Sequence, residues 1–187
     1  MNERDRPSLN LPRARCLTDA LEAFGWSGVR QSPRNDRETA PNVLQPGTLA
    51  NSALAANVAR VANGGELAEL AIAAQSPDQL VDTVFLRFVS RFPTRKERSR
   101  FAETLNIGFA ERIVPAAEVR PVEPLPELPR VTWHNHLQAE TTTIALELDR
   151  RAQQGSLPDP RLKTEWRETF EDVIWSIINT REFVWLP

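Results

Sequence analysis

Apolar residues recur along this chain at intervals of three and four, and the runs are separated by proline-dense stretches with no period. Such spacing gathers apolar side chains on one face of an α-helix. Leu54, Val58 and Val61 fall at i, i+4 and i+7 after Pro46-Gly47, and Gly64-Gly65 reads as the C-terminal cap of that helix. A short helix with Leu67, Leu70, Ala71 and Ala74 follows. Ser76-Pro77-Asp78-Gln79 predicts the next start: Ser76 can cap, Pro77 suits the first helical position, and Gln79 completes a capping box. Leu80, Val81, Val84, Phe85, Leu86, Phe88 and Val89 make that helix apolar almost all round, which predicts a central position. Phe92-Pro93 ends it, because a residue before proline avoids the helical region. Thr94-x-x-Glu97 is a second capping box, opening a helix with Phe101, Leu105 and Phe109 inward and Lys96, Arg98 and Arg100 toward water.

Beyond residue 113 the period stops. Pro115, Pro121, Pro124, Pro126 and Pro129 preclude a regular helix or central strand, and the alternation Pro-Leu-Pro-Glu-Leu-Pro predicts an extended, polyproline-like arm. Helical spacing resumes with Leu137, Thr141, Ile144 and Leu148, closed by Gly155. Asp159-Pro160 then reads as the opening of a last helix with Trp166, Phe170, Val173, Ile174, Ile177 and Ile178 on one stripe. At the front, Thr18 or Asp19 can cap a short helix with Leu17, Leu21 and Phe24 on one side, stopped by Gly25. No useful strand alternation appears. The expectation is an all-α fold: an irregular bundle of about six helices with long Pro-rich extended arms. Its parts are an N-terminal arm over 1–46, a four-helix core over 47–113, a Pro-rich linker over 114–132, and a helix pair over 133–187. The pair is expected to pack back on the core as one domain.

Composition narrows the function classes. With 15 Pro and only 7 Gly in 187 residues, the linkers are expected to be stiff. The 23 basic against 25 acidic residues give a net charge of −2, so nucleic-acid binding has little electrostatic support. The basic N-terminal positions Arg4, Arg6, Arg13 and Arg15 are interleaved with Glu3 and Asp5 and read as solvated surface. Trp26, Trp133, Trp166, Trp175 and Trp185 read as core anchors, because base-stacking platforms come with a positive groove. No apolar run reaches the length of a membrane span, and the charged, Pro-broken start has no secretory signal.

Candidate chemistry is sparse. A lone Cys16 permits neither an intramolecular disulfide nor the two-cysteine haem clamp. His134-Asn135-His136 is the one histidine cluster; in an extended segment both imidazoles point the same way, and Glu140 could add a carboxylate. His134, His136 and Glu140 are therefore weak metal candidates: a zinc site needs three or four ligands and catalysis an open position as well, and neither is visible in the sequence. The competing reading has the imidazoles and Asn135 capping the following helix or bonding the Pro-rich arm. Glu165, Glu168, Glu171 and Asp172 crowd the outer side of the last helix and read as a solvated face, while Glu182 beside Arg181 reads as an ion pair or cap. No phosphate loop, dinucleotide fingerprint, nucleophile elbow or metalloprotease motif occurs. Neither catalytic nor cofactor-binding residues are predicted.

Five segments in order carry a family resemblance: Asn2–Leu9 (Asn-Glu-Arg-Asp-Arg-Pro-Ser-Leu), Pro41–Ser52, Phe85–Thr94 with Glu97, Val131–Gln138, and the tail Asp172–Pro187 with its Asn-Thr-Arg-Glu-Phe. Together they resemble the C-terminal part of the planctomycete-type, cytochrome-associated PSD domain family of unknown function, found in large exported proteins. The resemblance implies a module of a multidomain exported protein with a cytochrome-like domain elsewhere. Two departures stand out: the family's haem-attachment motif is absent, and the Asn-Glu-Arg-Asp-Arg-Pro segment follows Met1 directly. The chain is thus expected to be cytoplasmic if complete, and periplasmic or exported if it is a fragment. The leading functional expectation is a non-catalytic helical module whose partners are proteins or other domains of a parent chain, with self-association through apolar faces left open. The alternatives are part of an exported enzyme acting on polysaccharides, or a cytochrome-docking part of a redox assembly that carries no haem itself.

Overall fold

The computed structural model describes residues 20–25, 42–132, 134, 135 and 137–184. Cys16, Trp26, Trp133, His136 and Trp185 lie outside the described residues. Among the described residues the fold is all-α. The helices are α1 (Leu44–Asn51), α2 (Ala53–Ala59), α3 (Glu66–Ala73), α4 (Pro77–Val89), α5 (Arg95–Asn106), a 3-10 turn (Phe109–Glu111), α6 (Ala139–Gln154), α7 (Thr164–Ile178) and α8 (Arg181–Val184). No strand or sheet forms among these residues; the extended pairings Ala62 with Pro158 and Ile113 with Leu162 are isolated bridges. No described helix is long and apolar enough to cross a membrane.

The chain divides into two compact units, one of residues 1–57 and 124–155, the other of residues 58–123 and 156–187. In the first unit, the helix expected after Pro46-Gly47 starts earlier and is interrupted. Pro46 lies inside the first turn of α1, where its missing N–H costs nothing. Ser52 then leaves the helical region with ψ 151. Its Oγ accepts the Ala55 N–H at 3.2 Å, so it ends α1 and caps α2. Ala20 and Ala23 are buried while Leu21 and Phe24 are exposed, so the face of the short N-terminal helix is turned from the one expected.

α6 ends at Gly155, as its spacing predicts, with φ 72. A second reason for glycine comes from α2. The Asn57 Nδ2 donates to the Ala152 carbonyl at 3.1 Å, which lays the amide across the helix end. A Cβ at position 155 would sit 1.7 Å from Asn57 Oδ1. α6 buries Thr141 and half-buries Ile144 and Leu148, while Leu137 stands outside the helix and exposed. Glu147 bonds both Arg150 and Arg151, and Arg151 Nη1 reaches the Pro126 carbonyl at 2.7 Å. Residues 119–132 take neither helix nor strand.

The second unit holds the larger core. α4 packs against α5 and α7, α5 packs against α7, and α8 touches α4 and α7. The expected stripe on α7 is buried throughout: Trp166, Phe170, Val173, Ile174, Ile177 and Ile178. α4 adds Leu80, Val81, Val84, Phe85 and Val89, which makes it central, although Leu86 remains exposed. Both predicted caps form. Ser76 Oγ accepts the Gln79 N–H at 3.2 Å, but the Gln79 side chain accepts from Gln75 rather than closing the box on Ser76. Thr94 and Glu97 form the full reciprocal box. α4 stops at Ser90, which takes the left-handed conformation (φ 56), three residues before the proline.

Three local readings are corrected by this unit. Gly64-Gly65 does not cap α2, which ends at Ala59. Asp159-Pro160 does not open α7, which begins at Thr164. Arg98 does not simply face water: its Nε bonds Asp82 Oδ1 at 2.8 Å and pins α5 to α4.

Candidate functional site

The polar chemistry of the second unit is concentrated at three arginines. The first, Arg91, follows the left-handed Ser90 that ends α4. That turn aims its guanidinium between the α5 cap and α8. Nη1 and Nη2 donate to Glu97 at 3.0 and 2.9 Å, and Nε and Nη2 donate to Glu182 at 2.6 Å each. The guanidinium also lies over the Phe85 ring, 5.4 Å from its centroid. Glu182 thus pairs across the fold with Arg91 and not with its sequence neighbour Arg181, and the ring contact of Phe88 with Phe183 at 6.5 Å braces the same join.

These bonds set the charge states. The Arg91 guanidinium holds the Glu97 carboxyl at about 2 against an ordinary 4.5, outweighing the opposing effect of partial burial. The Glu182 carboxyl is lowered by Arg91 as well. Because both folded-state values lie below the unfolded ones, their contribution is complete above the ordinary carboxylate range. It is lost as pH falls from about 4.5 toward about 2. The expected result is that Arg91→Met destabilises the protein most at neutral pH, and that its deficit against the natural chain shrinks steadily toward pH ~2. Urea melts across that range read it directly, and a deficit independent of pH would contradict the assignment.

The second arginine, Arg161, holds Asp159. Asp159 has no exposed surface. Its Oδ1 accepts the Arg161 backbone N–H at 2.9 Å, its Oδ2 accepts Arg161 Nη2 at 2.7 Å, and Oδ2 also accepts the Gly64 N–H at 3.3 Å. Burial pushes the Asp159 carboxyl up, yet the Arg161 bonds and the two backbone donors win and hold it below its usual value. Arg161 continues to Glu69 on α3 at 2.6 Å. The Asp159 N–H closes the loop on the Val61 carbonyl, and Val61 donates to Glu171 of α7 at 2.8 Å. The acid expected to start a helix is instead the pin that joins the residues before α3 to those before α7.

The third, Arg112, has no carboxylate. It is buried, and its Nε and Nη2 donate to the carbonyls of Ala71, Ile72 and Ala74 at 2.8, 3.2 and 2.6 Å. Those are the last carbonyls of α3, which no helical N–H can reach. Nη1 takes the Phe109 carbonyl at 2.8 Å, and the guanidinium stacks 3.8 Å from the Phe109 ring centroid. Burial disfavours the charged form and holds the Arg112 guanidinium below the ordinary arginine value. Nothing in the residue order announces this cage, because its parts are about forty positions apart.

Chemically these groups are committed. A carboxylate fixed by an arginine and held ionised is a weak base and an unavailable acid at neutral pH. Three aromatics pack beside the Arg112 cage: Trp166 meets Phe109 edge-on at 6.0 Å and Phe170 stacked at 5.5 Å, and its Nε1 donates to the Leu105 carbonyl at 2.9 Å.

The predicted metal candidates fare differently. His134 and Glu140 are both exposed, and His136 lies outside the described residues. Among the described residues, no group of three histidine, cysteine or acidic side chains is placed to hold a metal ion. Asn135 between the histidines is engaged: its Oδ1 accepts the Thr132 N–H at 2.6 Å and its Nδ2 donates to the Arg130 carbonyl at 2.9 Å. Its carbonyl accepts from Thr141 Oγ1 in the first turn of α6.

Comparison with known proteins places this arrangement only broadly. No curated protein and no solved structure matches the chain. Residues 1–105 match the PSD1 family, described as proteins of unknown function (DUF1553), and the match covers more than half of the sequence. The chain with these three arginine-centred joins is therefore a member of the PSD1 family of proteins of unknown function.

Proposed function

We propose that this chain is a non-catalytic helical module that makes protein contacts, either with other domains of a longer parent or with a separate partner. The observation that carries the reading is in the first unit, where Val43, Leu137 and Leu146 are 87%, 88% and 67% exposed. Large apolar side chains left this open are the groups from which association gains most. The second unit adds support: its arginine clusters bind its own chain segments together, which is the use expected of charge in a scaffold. On this reading the Pro-rich stretch over 114–132 is a stiff connector, and the family's exported, multidomain, cytochrome-associated setting is the context in which a partner domain would be met.

Hydroxyl-radical footprinting of the isolated chain, and of the same chain within its native extract, tests this. Val43, Leu137 and Leu146 are expected to be protected several-fold in the extract. Equal labelling in both states sinks the contact reading.

A further inference from the structure

One surface in the second unit has charges that the fold leaves unspent. Arg95, Lys96 and Arg100 lie on the outer side of α5 and line a shallow concavity with Ser99 and Glu103. All three cations are exposed. In the same unit Arg87, Arg91, Arg98 and Arg161 each meet a carboxylate. Arg95, Lys96 and Arg100 have no ion pair among the described residues, although acids outnumber bases in the chain. Arg95 and Lys96 also occupy the first turn of α5, where the helix dipole favours anions and disfavours cations. A fold selected for stability alone has no reason to keep them there.

The complementary feature lies on the helix beside it. α7 packs against α5, and its exposed side carries Glu165, Glu168 and Asp172 at i, i+3 and i+7. Of these, Glu168 has a single distant approach, 3.8 Å to Arg167. The unit thus presents a basic ridge and an acidic ridge on adjacent helices of 12 and 15 residues. Over their charged residues the two ridges are similar in length, about 7.5 and 10.5 Å. A two-fold axis pairs each ridge with its opposite on a second copy, so both are satisfied at once.

We propose that a second copy of this chain docks here, Arg95, Lys96 and Arg100 of α5 facing Glu165, Glu168 and Asp172 of α7 in the other copy. The inference rests on the reading of the chain as a contact-making module and names one such contact. Its surface is separate from Val43, Leu137 and Leu146, so the footprinting result and this one can fail independently. Exposed ion pairs are screened, so the dimer is weak and salt-sensitive.

Sedimentation equilibrium of the full chain tests it. The natural chain is expected to self-associate at ~50 mM salt and to lose about tenfold in association constant at ~500 mM. Two triple variants, R95E/K96E/R100E and E165K/E168K/D172K, are each expected to lose about a hundredfold. Mixed together, they restore association, because each then offers what the other lacks. Circular dichroism melts confirm that both variants are folded, and the mixture supplies its own control. A natural chain that is monomeric at low salt overturns the proposal. So do variants that associate unchanged, or folded variants whose mixture stays monomeric.

Discussion

Trp166→Ala is expected to lower stability by about 3–5 kcal/mol and Tm by on the order of 10 °C. The indole is 4% exposed and touches both Phe109 and Phe170, so the substitution opens a cavity where three rings meet. It also removes the donor from the Leu105 carbonyl, the last core position of α5, and a buried acceptor without a partner adds to the cost. Trp166→Phe separates the two effects. Phenylalanine keeps most of the ring volume but not the N–H, and a loss of about 1–2 kcal/mol is expected. Urea denaturation followed by far-UV circular dichroism measures both. A loss below about 1 kcal/mol for the alanine variant would mean that the ring does not sit in the core as described.

The second large effect is expected at Arg112. Arg112→Leu keeps an apolar stem but abandons four backbone carbonyls at once, and a cost of about 3–4 kcal/mol is expected. Arg112→Lys is the sharper test. Lysine retains the charge, but a single ammonium cannot fork to Ala71, Phe109 and Ala74 together. If the cage works through geometry, lysine recovers less than half of the loss; if only charge matters, it recovers nearly all. The guanidinium lies 5.8 Å from the Trp166 ring centroid, so the two sites are neighbours. A double-mutant cycle between them is expected to show a coupling of about 0.5–3 kcal/mol, and strict additivity would place them in separate packing environments.

What could be read from the residues beforehand divides by distance along the chain. The caps at Ser76 and Thr94 and the α7 stripe from Trp166 to Ile178 were legible because each depends on positions within one or two turns. Ser52 is an ambiguous local signal: a serine inside an Ala/Asn-rich run can cap a new helix as readily as sit within an old one. Asp159-Pro160 and Gly64-Gly65 misled because their local signatures are genuine. Asp before Pro starts helices and paired glycines stop them, but here Asp159 and the Gly64 N–H meet each other across 95 positions. Arg112 had no signature at all. A buried arginine that serves carbonyls looks, in sequence, like any solvated arginine. The clusters that organise the second unit are contacts of the long-range kind, and no spacing rule reaches them.

The division of the chain also bears on how this protein is born. The second unit is assembled from residues 58–123 and 156–187, with the residues between them given to the first unit. Its joins therefore link early to late synthesis: Gly64 to Asp159, Val61 to Glu171, and Arg91 to Glu182. While a ribosome is still making residues 124–155, α4 and α5 exist but α7 does not, and the apolar surface that α4 and α5 turn toward α7 has no cover. Loops this long are slow to close, because the entropy is surrendered before the contacts form. The nascent chain thus carries an open apolar face through much of its translation, and it is then, more than at any time after folding, that a chaperone would find something to hold.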